Sequence, residues 1–199
     1  MGGRRPLIAI YLVLGLALTG GVAWAASERI GTPGDDKLVG SGGDDQIGGL
    51  RGDDRIFGRG GEDRLQGNKG ADRIGGGPGA DELIGGRGGD RVNGGTGDDR
   101  IEGNLKRDRL SGGRGDDKLD GGRDDDRLNG GEGNDTLDGG AGRDAINTAE
   151  GVVLGSPGDD VIRARDGTPD VIDCGEGNDK VFVDRIEDGV FNCEQVIEP

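Results

Sequence analysis

An aspartate recurs every ninth residue through most of this 199-residue chain, and glycines surround each one. Counted from Gly31, thirteen nonapeptides follow one another to Asn147 without an insertion, with glycine at position one and aspartate at position six of each. Carboxylate and exposed backbone carbonyl oxygens are the ligands that a hard divalent cation prefers. The pattern therefore indicates a repeated cation-binding unit, and we number its positions one to nine.

Other kinds of chemistry find little support in the composition. The chain contains no histidine, which removes Ser-His-Asp and Cys-His catalysis and zinc sites that need imidazole. Carboxylate pairs could in principle hydrolyse glycosides, but the aromatic platforms that hold sugars are missing at 3% aromatic residues. A net charge of −15 and the scarcity of stacking side chains argue against nucleic-acid binding. We expect the protein not to be an enzyme.

One aliphatic residue in each repeat defines the element that must position these aspartates. Position eight is Leu, Ile or Val in all thirteen repeats, between mostly polar neighbours, as in Asp-Arg-Leu. This spacing predicts a turn of about six residues followed by a three-residue strand with one inward side chain. A single unit buries too little to fold, whereas stacked units bury a continuous aliphatic ladder. A disordered Gly/Asp tract is the alternative, but disorder would not keep the aliphatic residue in phase.

The repeat resembles the RTX (repeats-in-toxin) calcium-binding nonapeptide family. The resemblance is close over residues 31–147 and looser over 155–182. It rests on matches to Gly-Gly-x-Gly-x-Asp, which are GGPGAD (76–81), GGRGGD (85–90), GGTGDD (94–99), GGRGDD (112–117), GGEGND (130–135) and GGAGRD (139–144). It implies an all-β fold, a right-handed parallel β-roll (β-solenoid) with two nonapeptides per coil and calcium ions between stacked turns.

By the same resemblance, the position-six carboxylates and two later aspartates are the calcium ligands. The implied metal residues are Asp36, Asp45, Asp54, Asp63, Asp72, Asp81, Asp90, Asp99, Asp108, Asp117, Asp126, Asp135, Asp144, Asp160 and Asp179. Repeats with a bulky residue at a glycine position, such as Lys106 and Asp124, are weaker candidates. Stacked carboxylates repel one another, so we expect an expanded calcium-free chain that folds on binding several ions. Extracellular calcium modules bind at about 0.1–1 mM, and we expect that range.

Arginines at position seven of alternate repeats form a second pattern. Arg55, Arg73, Arg91, Arg109 and Arg127 would lie in one column on one sheet of the predicted roll. Exposed salt bridges to neighbouring Asp and Glu, worth about 0–1 kcal/mol each, are the expected arrangement. A cationic stripe that contacts an extracellular anionic polysaccharide is the alternative.

The two ends of the chain differ from the repeats. Residues 1–25 carry Arg4 and Arg5, an apolar stretch and an Ala-Trp-Ala site, which predicts a cleaved signal peptide, with an uncleaved membrane anchor as the alternative. The protein is then secreted to the extracellular space. We assign 26–147 to the β-roll and 148–199 to degenerate repeats and a C-terminal β cap. Cys174 and Cys193 are expected to form a disulfide, with free or metal-binding thiols as the alternative.

These observations predict a secreted calcium-binding β-roll that folds on binding multiple calcium ions. The alternative function is an extracellular adhesion or polysaccharide-binding module in which calcium is only structural. The expected partners are calcium ions and, under the alternative function, a cell-surface or matrix polysaccharide; we expect no nucleic acid, and a membrane only if the leader is uncleaved.

Overall fold

The computed structural model describes residues 28–147, 159–164, 171–175, 177–183 and 189–198. The predicted leader, residues 1–25, lies outside this range. The described residues form nineteen β-strands that alternate between two parallel sheets. They include no helix long and apolar enough to cross a membrane.

The strands belong to a ten-stranded sheet of odd-numbered strands and a nine-stranded sheet of even-numbered ones. Their bounds are β1 Glu28–Ile30, β2 Lys37–Val39, β3 Gln46–Arg51, β4 Arg55–Phe57, β5 Arg64–Lys69, β6 Arg73–Pro78, β7 Glu82–Arg87, β8 Arg91–Thr96, β9 Arg100–Leu105, β10 Arg109–Arg114, β11 Lys118–Arg123, β12 Arg127–Glu132, β13 Thr136–Ala141, β14 Ala145–Asn147, β15 Val161–Ala164, β16 Val171–Asp173, β17 Lys180–Val183, β18 Gly189–Phe191 and β19 Gln195–Ile197.

The pairing register confirms the predicted parallel solenoid with two nonapeptides per coil. Each strand pairs with the strand two further along the chain; in β5 and β7, for example, Leu65 lies opposite Leu83, eighteen residues later. About eight coils stack in this way. Equivalent positions of alternate repeats therefore form columns along the roll, with odd-numbered and even-numbered repeats kept apart.

The predicted strand length is wrong for most of the roll. Strand β3 and strands β5 to β13 are six residues long, because positions one to three of the next repeat continue the strand that positions seven to nine begin. Position two lies within these strands at positive φ, as in Gly95 at 124°, and the ladder resumes beyond it. Only positions four to six are left to turn the chain from one sheet to the other.

The position-eight aliphatics form the core, as predicted. They point inward from both sheets, and from Ile47 to Ile146 each is at most 3% exposed. Leu38, in the second strand, is only partly buried and packs against this core. Burial of one such side chain contributes about 1.5–3 kcal/mol, and each nonapeptide supplies only one. Burial alone therefore offsets little of the cost of ordering nine residues.

The described part of the C-terminal region extends both sheets by five strands, β15 to β19. Ile162, Ile172 and Val181 continue the buried aliphatic ladder. The predicted disulfide is confirmed: Cys174 bonds to Cys193 across a Cα–Cα distance of 5.1 Å, and it links the segment after β16 to the segment between β18 and β19. Because β16 pairs with β18, the disulfide joins two adjacent coils of the roll.

Candidate metal centre

The turns carry the predicted carboxylates into the interior of the roll. Fourteen of the fifteen predicted metal residues, from Asp45 to Asp179, are at most 2% exposed, and Asp36 in the first turn is partly buried. The turns of odd-numbered repeats lie along one edge of the roll and those of even-numbered repeats along the other. Each edge therefore holds a column of buried aspartates, one per coil.

One oxygen of each interior carboxylate is used by the backbone. The N–H of Asp81 donates to Oδ1 of Asp99 at 2.8 Å, and the N–H of Asp99 donates to Oδ1 of Asp117 at 2.7 Å. The same bond recurs from one coil to the next along both edges. This ladder explains why position six does not vary, since the oxygen acts as the acceptor that joins two coils.

In most of these carboxylates the other oxygen has no hydrogen-bond donor, whereas Oδ2 of Asp36 accepts from Thr32 and that of Asp45 accepts from Ser41. Among the described residues, a buried Oδ2 without a hydrogen-bond partner occurs in Asp54, Asp63, Asp72, Asp81, Asp90, Asp99, Asp108, Asp117, Asp126, Asp135 and Asp179. A buried polar atom in this state costs roughly 1–3 kcal/mol, and more when it is charged. Because the same donor is missing in repeat after repeat, we infer that each Oδ2 has a partner other than a hydrogen-bond donor, such as a cation.

Ten of these eleven oxygens lie beside the glycine at position one of their own repeat, whereas Cys174 takes that position in the repeat of Asp179. A Cβ on Gly94 would lie 2.1 Å from Oδ2 of Asp99 and 2.6 Å from the carbonyl oxygen of Gly112 in the next coil. A Cβ on Gly76 or Gly112 would meet the equivalent two atoms at 2.1–2.8 Å, namely the Oδ2 of its own repeat's aspartate and a carbonyl oxygen of the next coil. The missing side chain at position one therefore leaves room where a carboxylate oxygen and a carbonyl oxygen of two stacked coils converge.

Replacing Gly94 by alanine is expected to destabilise the roll by about 1–3 kcal/mol, the usual cost of overpacking a tight interior. The new methyl group would push Oδ2 of Asp99 out of place. Gly60, at position three, is the matched control, because its nearest neighbour is 3.6 Å from an added Cβ and its φ is not positive. Urea unfolding in calcium compares the two; an equal midpoint for Gly94→Ala and Gly60→Ala would contradict this account of position one.

Backbone carbonyls at positions two and four also line the space between coils. A Cβ on Gly95 would lie 2.2 Å from the carbonyl oxygen of Gly77, and one on Gly97 would lie 2.3 Å from that of Gly79. Lys106 and Asp124 take position four with φ of 84° and 76°, so they adopt the glycine-like backbone that the sequence required of them. Such conformations are strained for a residue with a side chain.

Burial raises the pKa of the interior carboxyl groups well above their ordinary value. The pKa is about 7 for Asp99 and Asp117 and about 8 for Asp108. Loss of hydration is the main cause; the backbone N–H bond works in the opposite direction, and nearby carboxylates raise the pKa further. Near neutral pH these groups are therefore largely or partly protonated in the metal-free roll, because the interior disfavours their charge.

The donors present fit a hard cation. Within the described residues, no group of three or more Asp, Glu or Cys side chains converges in a way that could hold a metal ion. Any metal between coils would therefore be held by one or two carboxylates together with backbone carbonyls. Calcium accepts such an all-oxygen, flexible ligand set of six to eight atoms, whereas zinc prefers nitrogen and sulfur.

A second, outer ladder was not predicted from the sequence. Where position five is aspartate, its carboxylate accepts a backbone N–H from the next coil: the N–H of Asp116 donates to Asp98 Oδ1 at 2.9 Å, and that of Asn134 to Asp116 Oδ1 at 2.8 Å. The frequent Asp-Asp pairs at positions five and six were the available signal. These exposed carboxylates brace the turns from outside.

Comparison with known proteins agrees with this geometry. The model of the RTX calcium-binding nonapeptide repeat (4 copies) matches residues 30–65, 57–92, 93–128, 120–152 and 151–181. The search among curated proteins gives no match. Rolls of this repeat are typically structural calcium-binding domains rather than catalytic ones. The matched segments cover well over half of the chain, and the chain belongs to the RTX calcium-binding nonapeptide repeat family.

Proposed function

We propose that this protein is a secreted β-roll that folds when it binds several calcium ions between its stacked turns. The ligands are the position-six aspartates of both edges, through Oδ2, with backbone carbonyl oxygens of positions one, two and four of adjacent coils. Asp54 to Asp135 make up the central series. Asp36, at the first turn, is only partly buried and is expected to contribute least.

The observation that carries this proposal is the repeated buried Oδ2 without a hydrogen-bond donor. Eleven such atoms stand at equivalent places, and ten of them lie beside a position-one glycine. At eight of these glycines an added Cβ would also lie within 2.9 Å of a carbonyl oxygen of the neighbouring coil. A divalent cation there supplies the missing partner and lowers the carboxylate pKa. It also offsets repulsion between successive carboxylates on one edge.

Coupling of binding to folding follows from how little else stabilises the roll. Each nonapeptide buries one aliphatic side chain, while each coil also places two ionisable groups in the interior. Without a cation these carboxylates must be protonated or remain uncompensated. Calcium binding therefore supplies free energy that the folded chain otherwise lacks.

Export is supported by two features of the chain. Residues 1–25 have the composition of a signal peptide, with Arg4 and Arg5 before an apolar stretch. The Cys174–Cys193 disulfide is typical of proteins that mature in an oxidising compartment. Free calcium at millimolar concentration, which such weak sites require, is also an extracellular condition.

Counting bound ions tests the proposal. Native mass spectrometry of the protein in millimolar calcium is expected to show several ions per chain, with occupancy rising together with β-structure. Magnesium at equal concentration is expected to bind far less, because it demands a smaller octahedral site and gives up its water reluctantly. A folded roll that retains no calcium in this measurement would rule the proposal out.

A further inference from the structure

The predicted arginine column is present and exposed. Arg55, Arg73, Arg91, Arg109 and Arg127 begin strands β4, β6, β8, β10 and β12, lie opposite one another in the pairing register, and are exposed. We call these five residues the arginine column. Adjacent members are separated by one strand spacing, roughly 4.8 Å.

A second cationic column lies on the other sheet, next to the same turns. Arg51, Lys69, Arg87 and Arg123 end strands β3, β5, β7 and β11, and all four are exposed. Arg51 pairs with Lys69 and Lys69 with Arg87, while Leu105 interrupts the column before Arg123. The turns of the odd-numbered repeats separate this second column from the arginine column, and we call the two columns together the basic edge.

The opposite edge has a different charge balance. From position three to position seven, the odd-numbered repeats between Arg51 and Arg127 contain eleven Lys or Arg and three acidic residues besides the buried position-six aspartates. The same positions of the even-numbered repeats between Gly60 and Thr136 contain four Lys or Arg and five acidic residues. One edge of this acidic protein is therefore strongly cationic.

The expected salt bridges of the arginine column are not formed. Among the described residues, the four ion pairs are Arg64–Glu82, Arg100–Glu102, Arg107–Asp125 and Arg114–Glu132. None of them involves either column, and three of the four lie toward the opposite edge. The residues opposite both columns in the sheets are either basic or uncharged. The cationic groups of the columns are therefore exposed to solvent without an ion-pair partner in the described part of the chain.

We propose that the basic edge binds a linear acidic polysaccharide with about one carboxylate per sugar unit, lying along the axis of the roll. The strand spacing of roughly 4.8 Å sets a regular row of cations over five coils, comparable to the repeat of a polyuronate chain. A polymer lying over the odd-numbered turns would contact both columns. Guanidinium groups pair with carboxylates through two parallel hydrogen bonds, which suits this ligand.

Two properties of the edge favour a polysaccharide over a nucleic acid. Single-stranded nucleic acids are held by stacking on aromatic side chains, and Phe57 is the only aromatic residue in strands β2 to β12. Duplex DNA presents phosphates at about 3.4 Å per strand on a curved surface, which does not match a straight column of strand spacing. The five buried aspartates of these repeats lower the charge of the edge from +8 (11 − 3) to +3 (8 − 5), so calcium bound to them makes the edge more strongly cationic and the inference rests on the proposed calcium-loaded fold.

The test compares two triple variants that each remove three arginines. Arg55→Gln/Arg73→Gln/Arg91→Gln alters the arginine column; Arg64→Gln/Arg100→Gln/Arg114→Gln removes three ion-paired arginines outside both columns. Binding of a fluorescently labelled oligogalacturonate is measured in millimolar calcium by anisotropy. The first triple variant is expected to raise Kd roughly tenfold, since three exposed charge pairs are lost. The second is expected to change it less than about threefold.

Three results would overturn the proposal: no saturable binding by the unaltered protein, equal losses in both variants, or tighter binding of single-stranded DNA of equal charge. Circular dichroism in calcium first establishes that each variant folds. If the first variant does not fold, Arg51→Gln/Lys69→Gln/Arg87→Gln in the second column takes its place, with the same expected loss. Normal calcium-dependent folding without polysaccharide binding would refute this inference while leaving the calcium function intact.

Discussion

Replacing Asp99 and Asp117 together by asparagine is expected to abolish much of the response to calcium while stabilising the calcium-free roll. Both carboxylates are buried along the edge formed by the even-numbered turns, and each has an Oδ2 with no hydrogen-bond donor. Asparagine keeps the Oδ1 acceptor of the backbone ladder and removes the charge. The variant therefore separates the structural role of position six from its role as a ligand.

The size of the effect follows from linkage. A site that binds only the folded state contributes about 2.7 kcal/mol when calcium is 100 times its dissociation constant. Asp99 and Asp117 adjoin three gaps between stacked turns, so we expect a loss of roughly 3 kcal/mol or more of calcium-dependent stability. Urea unfolding with and without calcium measures it.

The neighbouring pair Asp98 and Asp116 is the matched control. These aspartates are exposed, at position five, and serve the outer ladder through Oδ1, which asparagine preserves. Asp98→Asn/Asp116→Asn is expected to change calcium-dependent stability by less than about 1 kcal/mol. Equal losses in the two double variants would mean that net charge, rather than the interior carboxylates, controls the calcium response.

Acid is expected to replace calcium in part. The interior aspartates have pKa values of about 6 for Asp54 and Asp63 and about 7 to 8 from Asp99 to Asp135, above the ordinary 3.8. A carboxyl group with a raised folded-state pKa binds its proton more tightly when folded. Its stabilising contribution is complete below the unfolded pKa and is lost as pH rises through the folded one.

The calcium-free roll is therefore expected to gain stability as pH falls from 8 through the folded pKa values of about 6 to 8. Each unit of raised pKa corresponds to at most about 1.4 kcal/mol per group, and coupling between neighbours reduces the sum. Calcium affinity is expected to move the opposite way, because protons compete for the same oxygens. Circular dichroism of the calcium-free protein between pH 5 and pH 8 checks the expected gain in stability. This range lies on both sides of the pKa of about 7 for Asp117.

The control for this experiment is added salt at pH 8, which is close to the pKa of about 8 for Asp108. Salt screens exposed charges but has little effect on buried ones, so it is not expected to fold the calcium-free chain. Asp99→Asn/Asp117→Asn should also show a weaker pH dependence than the unaltered protein. A calcium-free protein that loses β-structure as pH falls would contradict the assignment of raised pKa values to the folded state.

The sequence predicted the solenoid because two constraints recur in every repeat. Position eight must be aliphatic to fill the space between the sheets, and position six must be aspartate to join two coils. The predicted strand length of three residues was wrong, since glycines at positions one and two are typical of turns. In the structure Gly94 and Gly95 extend strand β8, because the ladder accommodates a positive φ at position two.

The basic edge was only half visible in the sequence. Position three shows no pattern when the repeats are taken in chain order, as Arg51, Gly60 and Lys69 illustrate. Once odd and even repeats separate into two sheets, Arg51 and Lys69 are neighbours and Gly60 lies on the opposite edge. Columns of this kind depend on the eighteen-residue coil rather than on the nonapeptide. The absence of ion pairs in the arginine column depends on side-chain geometry that spacing cannot give.

The most direct test of the central claim is far-UV circular dichroism of the protein at pH 7.5, near the pKa of about 7 for Asp99 and Asp126, titrated with calcium and then with magnesium. We predict a largely unfolded chain in chelator and a cooperative gain of β-structure near millimolar calcium, with no comparable change in magnesium. A chain that is already fully β-folded in chelator, and unchanged by calcium, would contradict the claim that cations between the stacked turns drive folding.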